Sequence, residues 1–131
     1  MKFFKMKSVL AIFAMLFTIS AFANAQNKDG IIEALKQGNA AKFSSYLDEF
    51  VDIKLPQKDE IKNVSKTQAA ITVKSFFEEN GITGFDLTSQ RELGGTMYIT
   101  GKLHGNGRDY NLTVMLKNKD SDAAVITVRI N

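Results

Sequence analysis

Residues 96–116, TMYITGKLHGNGRDYNLTVML, predict an antiparallel β-hairpin and decide the fold class. Apolar and polar residues alternate on both sides of the Gly105–Gly107 turn, as in strands that bury only one face. The same alternation begins upstream at Phe85, crosses a second turn at Gly94–Gly95, and continues downstream to Ile130. A Gly–Gly pair between two strand-like runs is typical of a tight hairpin. The second half of the chain is therefore predicted to form consecutive antiparallel strands.

The first half of the chain carries mostly helical signals. Ser65 and Gln68 form a capping box, which predicts the start of a helix that ends at Asn80-Gly81. The other predicted elements are two consecutive helices over 29–37 and 39–49, a strand over 51–55 and a short strand over 60–64. Gly101, inside a later strand, indicates a β-bulge. This order predicts an α+β domain with three N-terminal helices packed in a curved antiparallel sheet.

Residues 1–25 have the three parts of a secretory signal peptide. Lys2, Lys5 and Lys7 supply a positive start, an apolar run follows, and Ala23-Asn24-Ala25 provides small residues for cleavage. The apolar run is shorter than the roughly 20 residues that cross a bilayer as a helix. We therefore expect cleavage after Ala25, a single mature domain over 26–131, and a periplasmic or secreted product without a membrane anchor.

The composition and charge of the chain argue against several classes of function. The chain has 17 Lys and Arg against 14 Asp and Glu, and removing the three lysines of residues 1–25 leaves a mature chain with no net charge. No basic cluster remains for nucleic acid. With no Cys and one His, the chain is predicted to bind no metal and no cofactor.

The chain resembles the nuclear transport factor 2-like (NTF2-like, cystatin-like) superfamily, and an exported Bacteroidetes family designated domain of unknown function 4783. The resemblance lies in IIEALKQGNAAKFSSYL, VDIKLP, TQAAITVKSFFEENG and the terminal hairpins, and it covers residues 27–131. It implies a cone of three helices wrapped by a bent antiparallel sheet, with a cavity at the open end. It also implies frequent homodimerisation through the sheet.

Six residues are candidates for a site. Ketosteroid isomerase, an enzyme of this superfamily, needs a carboxylate base in the first strand, where Asp52 lies, and polar donors such as Tyr46, Tyr98 or Tyr110. Dehydratase-like members use a His–Asp pair, which His104 and Asp109 could form across the turn between them. Each has a simpler interpretation. Asp52 alternates with Val51 and Ile53 and should face solvent, and His104 is more typical of a surface histidine.

Three functions follow from these observations. The first is a non-catalytic ligand-binding or protein-binding domain of the periplasm, as a possible homodimer that binds a small apolar ligand or an envelope protein. The second is an isomerase or dehydratase that uses Asp52 or His104 with a tyrosine. The third is a structural accessory of an envelope complex, with the sheet as its contact surface. Convergence of the candidate residues in one cavity would favour the enzyme.

Overall fold

The protein is described from a computed structural model, which covers residues 28–119 and 122–131. The predicted signal peptide and its cleavage site lie outside these residues. Within the described ranges, none of the helices has the length and apolar character needed to span a bilayer.

Helices and strands occur in the order α-α-β-β-α-β-β-β-β. Helix α1 covers residues 28–36 of the described chain. The remaining elements are α2 (Ala40–Ser44), β1 (Leu47–Lys54), β2 (Ile61–Ser65), α3 (Lys66–Glu79), β3 (Gly84–Leu93), β4 (Thr96–His104), β5 (Asp109–Lys119) and β6 (Asp122–Ile130). The α+β class is thus confirmed. The expectation of three N-terminal helices is not, because α2 is a single short turn of helix and α3 follows two strands.

One curved six-stranded sheet, in the order β2-β1-β6-β5-β4-β3, forms the body of the domain. From β3 to β6, neighbouring strands pair antiparallel, as the sequence predicts. The exception is the pair β1–β6, which is parallel. The sheet is therefore mixed rather than purely antiparallel. A parallel pair requires a long connection, and β1 reaches β6 only through all the intervening elements.

The predicted helix over residues 39–49 is wrong beyond Ser44. The amide of Val125 in β6 donates to the carbonyl of Tyr46 at 2.9 Å, and Leu47 lies opposite Val125 in the parallel ladder. Phe50, which a helix would have buried, is 59% exposed. Pairing with β6 satisfies the backbone of this segment, and this tertiary contact outweighs the helical spacing of its apolar residues.

Register shifts interrupt four of the five ladders, and such irregularities bend and twist a sheet. The bulge predicted at Gly101 lies instead in the facing strand β3, where Thr88 is the extra residue. Gly101 is required for a different reason. A Cβ built there would lie 2.5 Å from the ring of Phe85, so the ring packs directly on the glycine backbone.

The core lies between the inner face of the sheet and the helices. Its fully buried side chains come from every layer, with Phe43 from α2, Val73 from α3, and Ile99, Leu112 and Val128 from the central strands. The predicted core residues Phe43, Phe76 and Phe77 are all buried. Side chains alternate between the two faces of a strand. The inward residues of β5 are the four that the sequence predicts, Tyr110, Leu112, Val114 and Leu116.

Candidate functional site

A cavity of about 450 Å³ lies along one side of α3, and we call it the α3 cavity. Its volume is within the range of roughly 300–1,000 Å³ that is usual for small-molecule sites. Three parts of the chain line it, namely the loop after β1, one stripe of α3 and the start of β5. The lining residues are Leu55, Pro56, Gln57, Lys58, Ile71, Thr72, Ser75, Phe76, Glu79, Asn80, Arg108 and Tyr110.

The wall at the carboxyl end of α3 is held by Tyr110 and Asn80. The hydroxyl of Tyr110 donates to Oδ1 of Asn80 at 2.9 Å, and Nδ2 of Asn80 donates to the carbonyl of Phe76, also at 2.9 Å. The ring of Phe76 meets that of Tyr110 edge to face, with centroids 5.2 Å apart. The amide of Asn106 donates to the carbonyl of Asn80 at 2.8 Å, which ties the β4–β5 turn to the same point. This wall is therefore fixed before any ligand arrives.

Charged groups stand at the exposed rim of the α3 cavity. The guanidinium carbon of Arg108 lies 5.0 Å from the centroid of the Tyr110 ring, a cation–π contact. Lys58 and Glu79 also line the cavity. Among residues 28–119 and 122–131, none of these three side chains takes part in an ion pair. Their charges are thus available to a bound molecule.

Of the three candidate tyrosines, the structure brings only Tyr110 to this cavity. Tyr110 is 7% exposed, so the ring is buried while the hydroxyl reaches the cavity wall. Tyr46 lies beside Gly30 of α1, next to a separate polar hollow that Asp48 and Lys66 also line. Tyr98 lies on the outer face of the sheet, opposite Arg91 and Met115.

Asp52 supports a strand irregularity and is not among the residues of the α3 cavity. Its Oδ1 accepts the backbone N–H of Asn63 at 2.9 Å. Asn63 has a φ of 56°, the left-handed region that non-glycine residues seldom occupy, and lies in the bulge of β2 opposite Asp52. The carboxylate therefore satisfies an N–H that the bulge removes from the ladder.

His104 and Asp109 are brought together, as the sequence predicts, and a second carboxylate joins them. Nδ1 of His104 lies 3.0 Å from Oδ1 of Asp109, and Nε2 lies 2.8 Å from Oδ2 of Asp86. These hydrogen bonds, first that of Asp109 and then that of Asp86, raise the pKa of His104 above its usual value. The protonated ring can donate from both nitrogens, whereas the neutral ring can donate from only one.

This His104 cluster is poorly arranged for acid–base or metal chemistry. Both ring nitrogens are occupied by carboxylates, so neither faces an open site. The two carboxylates lie on opposite sides of the ring and do not converge on one point. Within the described residues, no group of His, Asp and Glu side chains is arranged to hold a metal ion. The catalytic role considered for His104 and Asp109 stays a prediction.

Sequence reasoning missed most of the α3 cavity. From the sequence, Asn80 is interpreted only as part of a helix terminator, and Arg108 receives no assignment. One signal was present in the sequence. Ile71 is an apolar residue off the buried stripe of α3, and it is 54% exposed in the structure. A single exposed apolar residue is common on protein surfaces, however, so this signal alone does not identify a site.

Comparison with known proteins bears on the whole described chain. The family model of Domain of unknown function (DUF4783) matches residues 28–131. Comparison with the curated proteins gave no match. The solved structures that are similar include a DUF4783 family protein from Bacteroides ovatus, at 25% identity and a TM-score of 0.72, with 77% of this chain and 90% of that chain covered. A second, from Bacteroides uniformis, is 21% identical, with a TM-score of 0.71 and coverage of 79% and 94%.

A more distant similarity defines the fold. An NTF2-like protein of unknown function from Cytophaga hutchinsonii is 11% identical, with a TM-score of 0.56 over 82% of this chain and 88% of that chain. At this identity the similarity concerns the fold and not the function. The family match over residues 28–131, together with this fold, shows that the chain belongs to the DUF4783 family and has an NTF2-like fold.

Proposed function

We propose that the protein is a non-catalytic binding domain that takes a small, mainly apolar ligand into the α3 cavity. The fold alone does not indicate an activity, because similar folds carry many unrelated functions. The observation that carries the proposal is the cavity of about 450 Å³. Its inner wall combines the buried rings of Phe76 and Tyr110 with the polar side chain of Asn80, already fixed by hydrogen bonds. Preformed sites of this kind lose little free energy to ordering when a ligand binds.

The positions of the other candidate residues support binding rather than catalysis. An isomerase or dehydratase needs a base and an oxyanion donor that face the same substrate. Asp52 is instead hydrogen-bonded to the β2 bulge, and both nitrogens of His104 are occupied. Neither residue lines the α3 cavity. Among the described residues, the candidates Asp52 and His104 therefore do not converge with a tyrosine in the α3 cavity, as the isomerase or dehydratase alternative requires.

The proposed location is the periplasm or the exterior of the cell. It is supported by the signal-peptide pattern of residues 1–25 and by the balanced charge of residues 26–131. N-terminal sequencing of the exported product is the direct test, and we expect it to begin at Gln26. A product that retains Met1 would contradict export by this signal.

A neutral apolar dye tests the cavity itself. We expect Nile red to bind the purified protein with a blue-shifted emission, because it enters an apolar site. Ser75 lines the cavity from an exposed position of α3. Ser75→Trp should fill the cavity and weaken binding at least tenfold. Lys74→Trp is the matched control, since Lys74 is the preceding residue of α3 and does not line this cavity. Equal binding by the wild type and Ser75→Trp, or no binding by the wild type, would overturn the proposal.

A further inference from the structure

The charges at the rim of the α3 cavity indicate that the ligand carries charged groups as well as an apolar part. We infer that the ligand is a zwitterion with an apolar body, such as an α-amino acid with a large aliphatic or aromatic side chain. This inference rests on the proposed binding function. It names the chemical class of the ligand from Arg108, Lys58 and Glu79, three charged groups that line one cavity and have no ion-pair partner among the described residues.

The end of the cavity near Asn80 carries the charges of Arg108 and Glu79, and we call it the polar end. Elsewhere apolar side chains are mixed with polar ones such as Thr72 and Ser75. The residues that α3 contributes form one stripe from Ile71 to Asn80. At 1.5 Å per residue, this stripe is about 13 Å long. Arg108 belongs to the end near Asn80, because it lies over Tyr110, and Tyr110 is hydrogen-bonded to Asn80. Ile71, two turns earlier in α3, provides an apolar wall at the other end.

Two residues of opposite charge line the polar end of the cavity. Glu79 precedes Asn80 in the last turn of α3, so a carboxylate and the Arg108 guanidinium line the same end of the cavity. They do not form an ion pair with each other at 4.0 Å or less. The carboxyl end of a helix adds a partial negative charge of about half a unit. Groups of opposite charge therefore line one cavity without neutralising each other in an ion pair.

A ligand with one charge would fit this end poorly. A simple carboxylate would be attracted by Arg108 but repelled by Glu79 and by the end of α3. A simple ammonium ion would be attracted by Glu79 and by the end of α3 but repelled by Arg108. A molecule with a carboxylate and an ammonium group on one carbon can place the first toward Arg108 and the second toward Glu79. The guanidinium fork suits the carboxylate because it can donate two parallel hydrogen bonds.

The apolar body of such a ligand has a matching surface. The loop after β1 contributes Leu55 and Pro56, and α3 contributes Ile71 and Phe76. The exposed Ile71 of α3 would lose water contact when covered by the ligand side chain, and burial of this apolar surface would favour binding. Glycine, which has the same charged groups and no side chain, would gain nothing there.

Three closely matched molecules test the inference by isothermal titration of the purified protein. Leucine carries both charges, 4-methylpentanoate lacks the ammonium group, and 3-methylbutylamine lacks the carboxylate. We expect leucine or phenylalanine to bind at least tenfold more tightly than either single-charge analogue, and glycine to show no heat of binding. If either single-charge analogue binds as tightly as leucine, the inference is wrong.

Two charge-removing variants assign the contacts. We expect Arg108→Gln to bind leucine only as tightly as the wild type binds 3-methylbutylamine. Likewise, Glu79→Gln should bind leucine only as tightly as the wild type binds 4-methylpentanoate. Arg91→Gln and Glu78→Gln are the controls, since neither residue lines the α3 cavity, and both should bind leucine like the wild type. Equal losses in the control and test variants would overturn the assignment.

The same measurements separate the inference from the proposed function. If Nile red binds and Ser75→Trp abolishes its binding, while none of the amino acids binds, the zwitterion inference fails and the binding proposal stands. If neither the dye nor any amino acid binds, both fail. Free amino acids and short peptides share the zwitterionic chemistry. Titration with dileucine, whose charged groups are farther apart, distinguishes a site for free amino acids from a site for short peptides. We expect dileucine to bind at least tenfold more weakly than leucine, and tighter binding of dileucine would overturn the assignment to an amino acid.

Discussion

The Tyr110 hydroxyl and the Oδ1 atom of Asn80, 2.9 Å apart, join the start of β5 to the carboxyl end of α3. The bond is largely buried, because Tyr110 is 7% exposed. Asn80 makes three further hydrogen bonds, since its amide and Nδ2 both donate to the carbonyl of Phe76 and its own carbonyl accepts from Asn106. Removing one member of this arrangement leaves polar atoms unpaired at the wall of the cavity.

We expect Tyr110→Phe to lower the free energy of unfolding by about 1 kcal/mol, and Asn80→Ala by about 2 kcal/mol. Asn80→Ala costs more because the hydroxyl of Tyr110 then remains without its acceptor. Urea unfolding measures both values. Tyr98→Phe is the control, since the Tyr98 hydroxyl makes no hydrogen bond within the described residues, and its change should stay within about 0.5 kcal/mol. A loss in Tyr98→Phe equal to that in Tyr110→Phe would contradict the account.

Gly101 and Phe85 give a second test of the packing. A methyl group on Gly101 would meet the ring of Phe85 at 2.5 Å and would also press on the carbonyl oxygen of Asp86. We expect Gly101→Ala to cost about 2 kcal/mol, within the usual range for overpacking. Adding Phe85→Leu should recover only part of this loss, because the backbone oxygen of Asp86 cannot move as a side chain does.

Gly84→Ala provides the control for Gly101→Ala. Gly84 lies on the same pair of strands, and a Cβ there would have its nearest neighbour at 3.5 Å, an ordinary contact with the His104 ring. Its stability should remain within about 0.5 kcal/mol of the wild type. Thermal unfolding of both variants makes the comparison, and equal losses would show that strand glycines matter here for backbone reasons alone.

The parts of the fold that the sequence predicted are those with local signals. The hairpins follow from alternation and from glycine turns, and α3 follows from the cap at Ser65, whose Oγ accepts the amide of Gln68 at 3.3 Å. The segment from Leu47 to Phe50 was misassigned because its apolar spacing suits a helix as well as a strand. The deciding partner, Val125, lies near the other end of the chain.

The candidate site was predictable only in part, for a related reason. Tyr110 and the pair His104–Asp109 were identified because strand alternation and a short turn fix their neighbours. Arg108 and Glu79 are charged residues on exposed positions, and such residues carry no local sign of convergence. They line one cavity only because the carboxyl end of α3 lies against Tyr110 at the start of β5, which is a tertiary feature.

His104 predicts how stability depends on pH. Its pKa is raised in the folded protein by Asp109 and Asp86, so the folded state binds a proton more tightly than the unfolded chain. The stabilisation is fully present below the unfolded pKa of about 6.5, and it is lost as the pH rises through the higher folded pKa. The single His of the chain gives one Hε1 signal in NMR, and its titration midpoint should lie above 6.5.

Two variants test the cause of that shift. Asp109→Asn and Asp86→Asn should each move the midpoint of His104 downward, since an amide does not attract the imidazolium charge. Because the groups are partly exposed, added salt should reduce the shift in the wild type. A midpoint unaffected by both substitutions would show that the carboxylates do not hold the ring in solution.

Ser44 is expected to reduce stability. Its side-chain oxygen is buried and has no hydrogen-bond partner within residues 28–119 and 122–131. A buried hydroxyl without a partner costs about 1 kcal/mol or more, so Ser44→Ala should raise the free energy of unfolding by about that amount. Ser45→Ala is the neighbouring control, because the Ser45 hydroxyl donates to the carbonyl of Lys42 at 2.6 Å and its loss should not stabilise. A destabilised Ser44→Ala would show that the hydroxyl has a partner.

The outer face of the sheet bears on self-association, which stays a prediction. Tyr98 lies opposite Met115, and Met115 lies opposite Thr127, so the three form a row across β4, β5 and β6. Tyr98 and Met115 remain partly exposed. A homodimer through this face would cover them, and light scattering after size exclusion should then give twice the mass of one chain. Met115→Lys should yield a monomer, because two-fold symmetry brings the two introduced charges close together. Gln90→Lys on the edge strand β3 should leave the dimer intact, and a monomeric wild type at high concentration would contradict the prediction.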